Sequence, residues 1–170
     1  ARYGVMLRED GIVFDDGTTW RLSETEFFMT TTTANAGGVM ALLERLLQTR
    51  WPELRVHVSS VSDGWGGVAV AGPLARDVLA GLIPDIEWSD AAYPFMGVRE
   101  GAMATPEGRI PVRTARLSFS GEKAWEVFAP ADHGPALHRA VAAAVAEAGG
   151  GPYGLEALDV MRVEKGHVTS

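Results

Sequence analysis

The sequence predicts an α+β fold, a mostly antiparallel sheet with helices packed on it. Three observations carry that prediction. Short runs rich in aromatic and β-branched residues recur between Gly- and Asp-rich turns. Two longer stretches repeat leucine or alanine at helical spacing. The elements come in a β-rich opening followed by βαββαβββα, which is not a regular strand–helix alternation. With no internal repeat and no low-complexity linker, residues 1–170 read as one domain.

In chain order, residues 2–7 and 11–14 predict two short strands around the turn Arg8-Glu9-Asp10-Gly11. Asp15-Asp16-Gly17 reads as a further turn, because Asp and Gly are turn residues. Residues 26–33 predict a third extended run. From Asn35 the apolar residues Val39, Leu42, Leu43, Leu46 and Leu47 fall on one stripe of a helix, with Glu44, Arg45 and Gln48 facing away and Pro52 closing the unit. Alternation of Leu54, Val56 and Val58 predicts a strand, and residues 65–71 another. Gly72-Pro73 opens a second helix reaching Leu82. Residues 84–94 read as loop and 95–103 as extended. Residues 110–119 and 123–129 predict a hairpin turning at Ser120-Gly121. Asp132 is the expected cap of an Ala-rich helix over 134–148, stopped by Gly149-Gly150-Gly151, and residues 155–162 predict a last helix.

Composition excludes several functions. A chain of 170 residues is long enough to build a core, and 46% hydrophobic with 22% charged residues is ordinary for a globular domain. A net charge of −7 without a basic run argues against a nucleic-acid groove or an anionic membrane surface. No apolar run approaches the ~20 residues of a membrane span. The absence of cysteine excludes disulfides and thiolate metal ligands and fits a cytoplasmic protein. His57, His133, His138 and His167 lack metal-site spacing, so no metal is expected. Gly149-Gly150-Gly151-Pro152-Tyr153-Gly154 satisfies a dinucleotide pattern, but it follows a helix instead of opening one, and reads as a helix stop.

Few residues then stand out. Glu126 is the lone carboxylate in the apolar run 124–129. Side chains alternate along a strand, so Glu126 shares a face with Ala124 and Phe128 while Trp125 and Val127 point the other way. A carboxylate between apolar neighbours costs several kcal/mol unless a protein group or a ligand satisfies it. One of Asp15 and Asp16 is a candidate acid/base or ligand anchor, since adjacent strand residues point oppositely. Asn35 reads first as a helix N-cap. Arg162 and Glu164 read as an ion pair or as solvated charges. Ala1 in strand-like sequence, and a close at Gly166-His167-Val168-Thr169-Ser170 without an element end, predict a piece of a longer polypeptide.

A set of strings in fixed order goes further. They are Arg2-Tyr3-Gly4-Val5-Met6-Leu7-Arg8-Glu9-Asp10-Gly11, Phe14-Asp15-Asp16-Gly17-Thr18-Thr19, Phe28-Met29-Thr30-Thr31-Thr32-Thr33-Ala34-Asn35-Ala36, Val70-Ala71-Gly72-Pro73, Ser118-Phe119-Ser120-Gly121-Glu122, and Pro152-Tyr153-Gly154 with Met161-Arg162-Val163-Glu164-Lys165-Gly166-His167-Val168. Over nearly the whole chain this resembles the folate-binding region of heterotetrameric sarcosine oxidase α subunits. More distantly it is similar to the glycine-cleavage T-protein (aminomethyltransferase) superfamily.

The resemblance implies an enzyme part that binds tetrahydrofolate. There the one-carbon unit from sarcosine oxidation is captured as 5,10-methylenetetrahydrofolate, and flavin, NAD and the other sarcosine oxidase subunits lie outside this chain. It implies Glu126 as the pterin anchor and Asp16, with Asp15 as its neighbouring alternative, as the group near the nitrogens that take the one-carbon unit. Trp20, Asn35 and Phe119 join the expected folate contacts. Phe119 and Trp20 stand where T-proteins carry tyrosines, and Leu158 where they carry an arginine. These departures favour the sarcosine oxidase branch over an aminomethyltransferase; a folate-binding module without chemistry stays open, and acid–base work by Asp16 is what separates it from an enzyme part.

Overall fold

The computed structural model describes residues 1–167; Val168, Thr169 and Ser170, within the open end noted above, lie outside the described residues. The chain falls into two compact units, Ala1–Gly64 and a second beginning at Trp65, each with its own antiparallel sheet. The α+β class is the one the sequence predicts.

In the first unit β1 (Arg2–Leu7), β2 (Val13–Arg21) and β3 (Phe27–Thr31) pair in chain order, and helix α1 (Ala36–Thr49) follows. The turn between β1 and β2 is the expected one, with Gly11 at φ 82° and Arg8 N donating to Ile12 O at 2.8 Å. Asp15, Asp16 and Gly17 do not turn, against expectation. They lie inside β2 opposite Met6, Val5 and Gly4, and Gly17 also pairs with Thr31. Glycine serves here by its missing side chain, since a Cβ at Gly17 would lie 1.9 Å from Thr30 O. The α1 stripe is as predicted, with Val39 buried and Leu42, Leu43, Leu46 and Leu47 partly buried. Residues 54–58 form no strand: Leu54 and Val56 are about half exposed, and no strand pairs with them among the described residues. Alternation specifies a strand only where an edge receives it.

The second unit is a sheet in the order β4–β7–β6–β5, made of β4 (Trp65–Ala71), β5 (Val98–Thr105), β6 (Gly108–Ala115) and β7 (Ala124–Pro130). Helices α2 (Ala75–Leu82) and α3 (Gly134–Glu147) pack against it, and α4 (Leu155–Lys165) ends the described chain. The core joins Leu79, Ile83 and Leu137 from the helices to Val70, Met103, Val112, Trp125 and Val127 from the sheet. Two expectations are corrected. β6 and β7 do pair, Ala115 opposite Glu126, but residues 116–123 connect them as an eight-residue loop and not as a tight turn. Leu117 is buried in that loop instead of extending the ladder. Asp132 does not cap α3. It lies in the 3-10 turn Ala131–His133, whose Ala131 carbonyl already accepts the Gly134 N–H, leaving the side chain no such role.

Gly17→Ala is expected to lower stability by about 2–4 kcal/mol through the clash with Thr30 O. Gly4→Ala on its cross-strand partner, where a Cβ meets nothing within 4 Å, should cost well under 1 kcal/mol. Thermal unfolding of the two variants checks this.

Candidate functional site

Strand alternation puts the two neighbouring acids of β2 in different surroundings. Asp15 is fully buried. Its Oδ1 accepts the Asp16 N–H at 2.7 Å and the Thr32 N–H at 3.1 Å, and its Oδ2 accepts Asn35 Nδ2 at 2.8 Å. Burial pushes the Asp15 carboxyl up, but these donors outweigh it and hold its pKa below the usual value. Asn35 also donates to Phe14 O at 3.1 Å. It stands at the N-cap position of α1, yet its side chain makes no capping bond, because its amide is turned to Asp15. Asp16 is only partly buried and, among the described residues, accepts one hydrogen bond, from Tyr3 OH at 2.8 Å. Burial and that bond push the Tyr3 hydroxyl up to about 12. Trp20 is 0% exposed, tilted against Phe28 at 5.3 Å, with its indole N–H on Thr18 Oγ1 at 2.7 Å.

In the second unit Trp125, Val127 and Ala129 of β7 are fully buried in the core, so Glu126 projects from the opposite face of the sheet. There a pocket of about 270 Å³ is lined by Ala69, Leu117, Phe119, Glu126, Tyr153 and Leu158. Ala69 sits opposite Glu126 in the ladder and leaves the space that a larger residue would fill. Among the described residues no donor reaches the Glu126 carboxylate, and burial alone raises its pKa. Tyr153 is raised too, first by burial and then by the Glu126 charge. A larger groove of about 490 Å³ lies between α2 and α3, but its two carboxylates, Asp77 and Glu147, are exposed to water. The smaller pocket is therefore the one with chemistry left open.

Of the six residues singled out from sequence, Asp15, Asp16, Trp20 and Asn35 lie in the first unit, and Phe119 and Glu126 meet in one pocket of the second. Sequence reasoning passed over Tyr3, Tyr153 and the pocket side of Leu158. Tyr3 was within reach. The Arg8–Gly11 turn sets Val5 opposite Asp16, which makes Tyr3 its diagonal neighbour. Tyr153 carries no local signal, because it reaches the pocket by tertiary packing. Arg162 does not pair with Glu164. It donates to Asp159 Oδ1 at 2.8 Å, one helical turn back.

Asp15 and Glu126 predict opposite pH responses. Asp15, its folded pKa depressed, contributes stability that is present above the unfolded value of about 3.9 and is lost as pH falls through the folded one. Asp15→Asn should cost about 1–3 kcal/mol at neutral pH, with the gap to wild type closing in acid. Glu126, its folded pKa raised, favours the protonated form in the fold, so stability is lost as pH rises through that folded pKa. Glu126→Gln should therefore leave the ligand-free protein as stable as wild type or about 1 kcal/mol more stable at neutral pH, with the gain vanishing in acid. Denaturant titrations across pH read both.

The chain is 49% identical over 169 residues to the sarcosine oxidase subunit alpha of Rhizobium meliloti (strain 1021) and 46% identical over 168 residues to that of Corynebacterium sp. (strain P-1). It is 32% identical over 169 residues to the aminomethyltransferase of Mycobacterium avium (strain 104). These alignments cover 98–99% of the chain, but the chain spans only 17% of the length of either sarcosine oxidase subunit and 42% of the aminomethyltransferase. Among solved structures, the glycine cleavage system aminomethyltransferase T of Bartonella henselae superposes with a TM-score of 0.76 at 24% identity, over 98% of this chain and 41% of that one, which shows a shared fold. A family model described as the GCVT N-terminal domain matches residues 1–170, from the first strand through the Glu126 pocket and beyond, and the chain belongs to that family.

Proposed function

We propose that this chain is a tetrahydrofolate-binding part of a sarcosine oxidase α subunit, where a one-carbon unit released by sarcosine oxidation is captured. The observation that carries this reading is the Glu126 carboxylate, partly buried, without a protein donor and opening into an apolar pocket. Such a group calls for a ligand edge with adjacent N–H donors. A pterin has one, a ring N–H beside an exocyclic amine, and a carboxylate accepts both in a two-pronged pair. The residues present fit that group. Leu117, Phe119 and Leu158 supply apolar wall for a flat ring, and about 270 Å³ suits the ring system better than a whole cofactor. Bound tetrahydrofolate would supply the nitrogens that accept the one-carbon unit as 5,10-methylenetetrahydrofolate.

This chain's own residues divide the work. Glu126 binds and orients, and its raised pKa falls when N–H donors arrive, since they favour the charged form. In the first unit we assign acid–base work to Asp16. Asp15 has its oxygens taken by Asp16, Thr32 and Asn35, whereas among the described residues Asp16 accepts only one bond, from an exposed tyrosine. Asp15 and Asn35 would then hold the strand that presents Asp16. Leu158 in the pocket wall removes the guanidinium that the resemblance places there in T-proteins, which supports the sarcosine oxidase branch over an aminomethyltransferase.

In a tetrahydrofolate titration of the full-length subunit, followed by tryptophan fluorescence, Glu126→Gln should weaken binding roughly tenfold to a hundredfold, the worth of one charge-assisted hydrogen bond. Equal affinity would overturn the anchor. In the assembled oxidase, Asp16→Ala should slow methylenetetrahydrofolate formation more than it weakens folate binding. Unchanged transfer would leave a binding module without chemistry, and activity on an aminomethyl-lipoyl carrier would favour the aminomethyltransferase.

A further inference from the structure

Phe119 poses a packing problem. It forms a wall of the Glu126 pocket, yet it lies on the 116–123 loop, outside the sheet ladder, with its side chain 40% exposed. A loop aromatic in that situation swings freely unless something beside it holds it.

The end of α4 does so. Gly166 takes φ 81°, a left-handed helix stop, and turns the chain so that His167 comes back over the loop. The imidazole stacks on the Phe119 ring at 6.5 Å with 29° between planes, and His167 Nδ1 lies 3.1 Å from Phe119 O. A carbonyl oxygen only accepts, so Nδ1 carries the hydrogen. The Arg162 guanidinium lies 6.0 Å from the same ring and donates to His167 O at 3.3 Å, while Asp159 holds its Nε. Two residues along the loop, Gly121 at φ 82° lets Lys165 lie against the backbone, where a Cβ would come within 2.6 Å of Lys165 Cγ. Ring stack, cation–π contact, hydrogen bond and close approach all tie one loop to one helix end.

We propose that Arg162 and His167 are positioning residues, a latch that fixes Phe119 as a rigid wall of the Glu126 pocket. The proposal rests on the folate-binding reading. Neither residue touches the ligand; both act through Phe119, and the latch strengthens binding by removing the cost of ordering the loop when a flat ring enters.

The test uses the full-length subunit, with tetrahydrofolate as probe and four variants: Glu126→Gln, His167→Ala, His167→Asn and Arg162→Lys. His167→Ala should raise Kd about tenfold, the combined worth of one hydrogen bond and one ring contact. Hydrogen exchange in 116–123 should accelerate in the ligand-free protein, with β7 protection and Tm unchanged. His167→Asn, which keeps a donor for Phe119 O, should recover part of the affinity, and Arg162→Lys should lose some through its missing fork. If Glu126→Gln loses affinity while His167→Ala binds like wild type, the latch is wrong and the pocket reading stands. Affinity lost only in step with Tm, or exchange in 116–123 that stays slow, also overturns the latch. A wild-type subunit that binds no tetrahydrofolate removes the reading and the latch with it.

Discussion

The period of two along β7 is the constraint on which the second unit depends. Trp125, Val127 and Ala129 are each completely buried, and together they anchor the central strand against α2 and α3. Moving that strand by one residue would bring Glu126 into the core and expel a tryptophan, so the register is strongly specified. The position of Glu126 follows from it. The carboxylate projects from the other face because its neighbours cannot leave theirs. Packing energy on one side of the sheet thereby holds an unsatisfied carboxyl group on the other, a cost that would otherwise drive the side chain out to water.

Asp15 and Glu126 show why burial by itself says little about an acid. Burial raises both. Around Asp15 three N–H groups, from Asp16, Thr32 and Asn35, converge on two oxygens, and the charged form prevails. Around Glu126 the described residues offer no donor. One is a finished structural contact and the other is half of a contact. An unmet acceptor beside apolar wall and open volume is what distinguishes a binding group from a stabilising one.

Where sequence reasoning succeeded, the signal was local. The leucine stripe of α1, the turn at Gly11, the strand over residues 65–71 and the helix stop at Gly149 each follow from period or from a conformation that glycine alone adopts easily. Where it failed, the outcome depended on a distant partner. Asp15-Asp16-Gly17 has turn composition, yet all three residues pair with β1, and Gly17 pairs with β3 as well. Leu54, Val56 and Val58 alternate, yet no strand pairs with them among the described residues. Asn35 has the chemistry of a cap, but a buried carboxylate competes for its amide and wins, because an unpaired buried charge costs more than an uncapped helix end. The loop of 116–123 reads as a continuing hairpin until Leu117 is found buried in it.

The sequence by itself determined the α+β class, the helix stripe, the isolation of Glu126 among apolar residues and the rule that Asp15 and Asp16 point oppositely. All of these follow from periods of 2 and 3.6 and from side-chain chemistry, which need only neighbours along the chain. The tertiary structure decided which aspartate is used up, that Ala69, Tyr153 and Leu158 complete the space around Glu126, and that α4 returns Arg162 and His167 to Phe119. Those outcomes depend on residues up to 89 positions apart, since Ala69 lines the same pocket as Tyr153, 84 positions on, and Leu158, 89 positions on. No local pattern encodes a separation of that size; only the packed sheet and helix bring such residues within reach of one another.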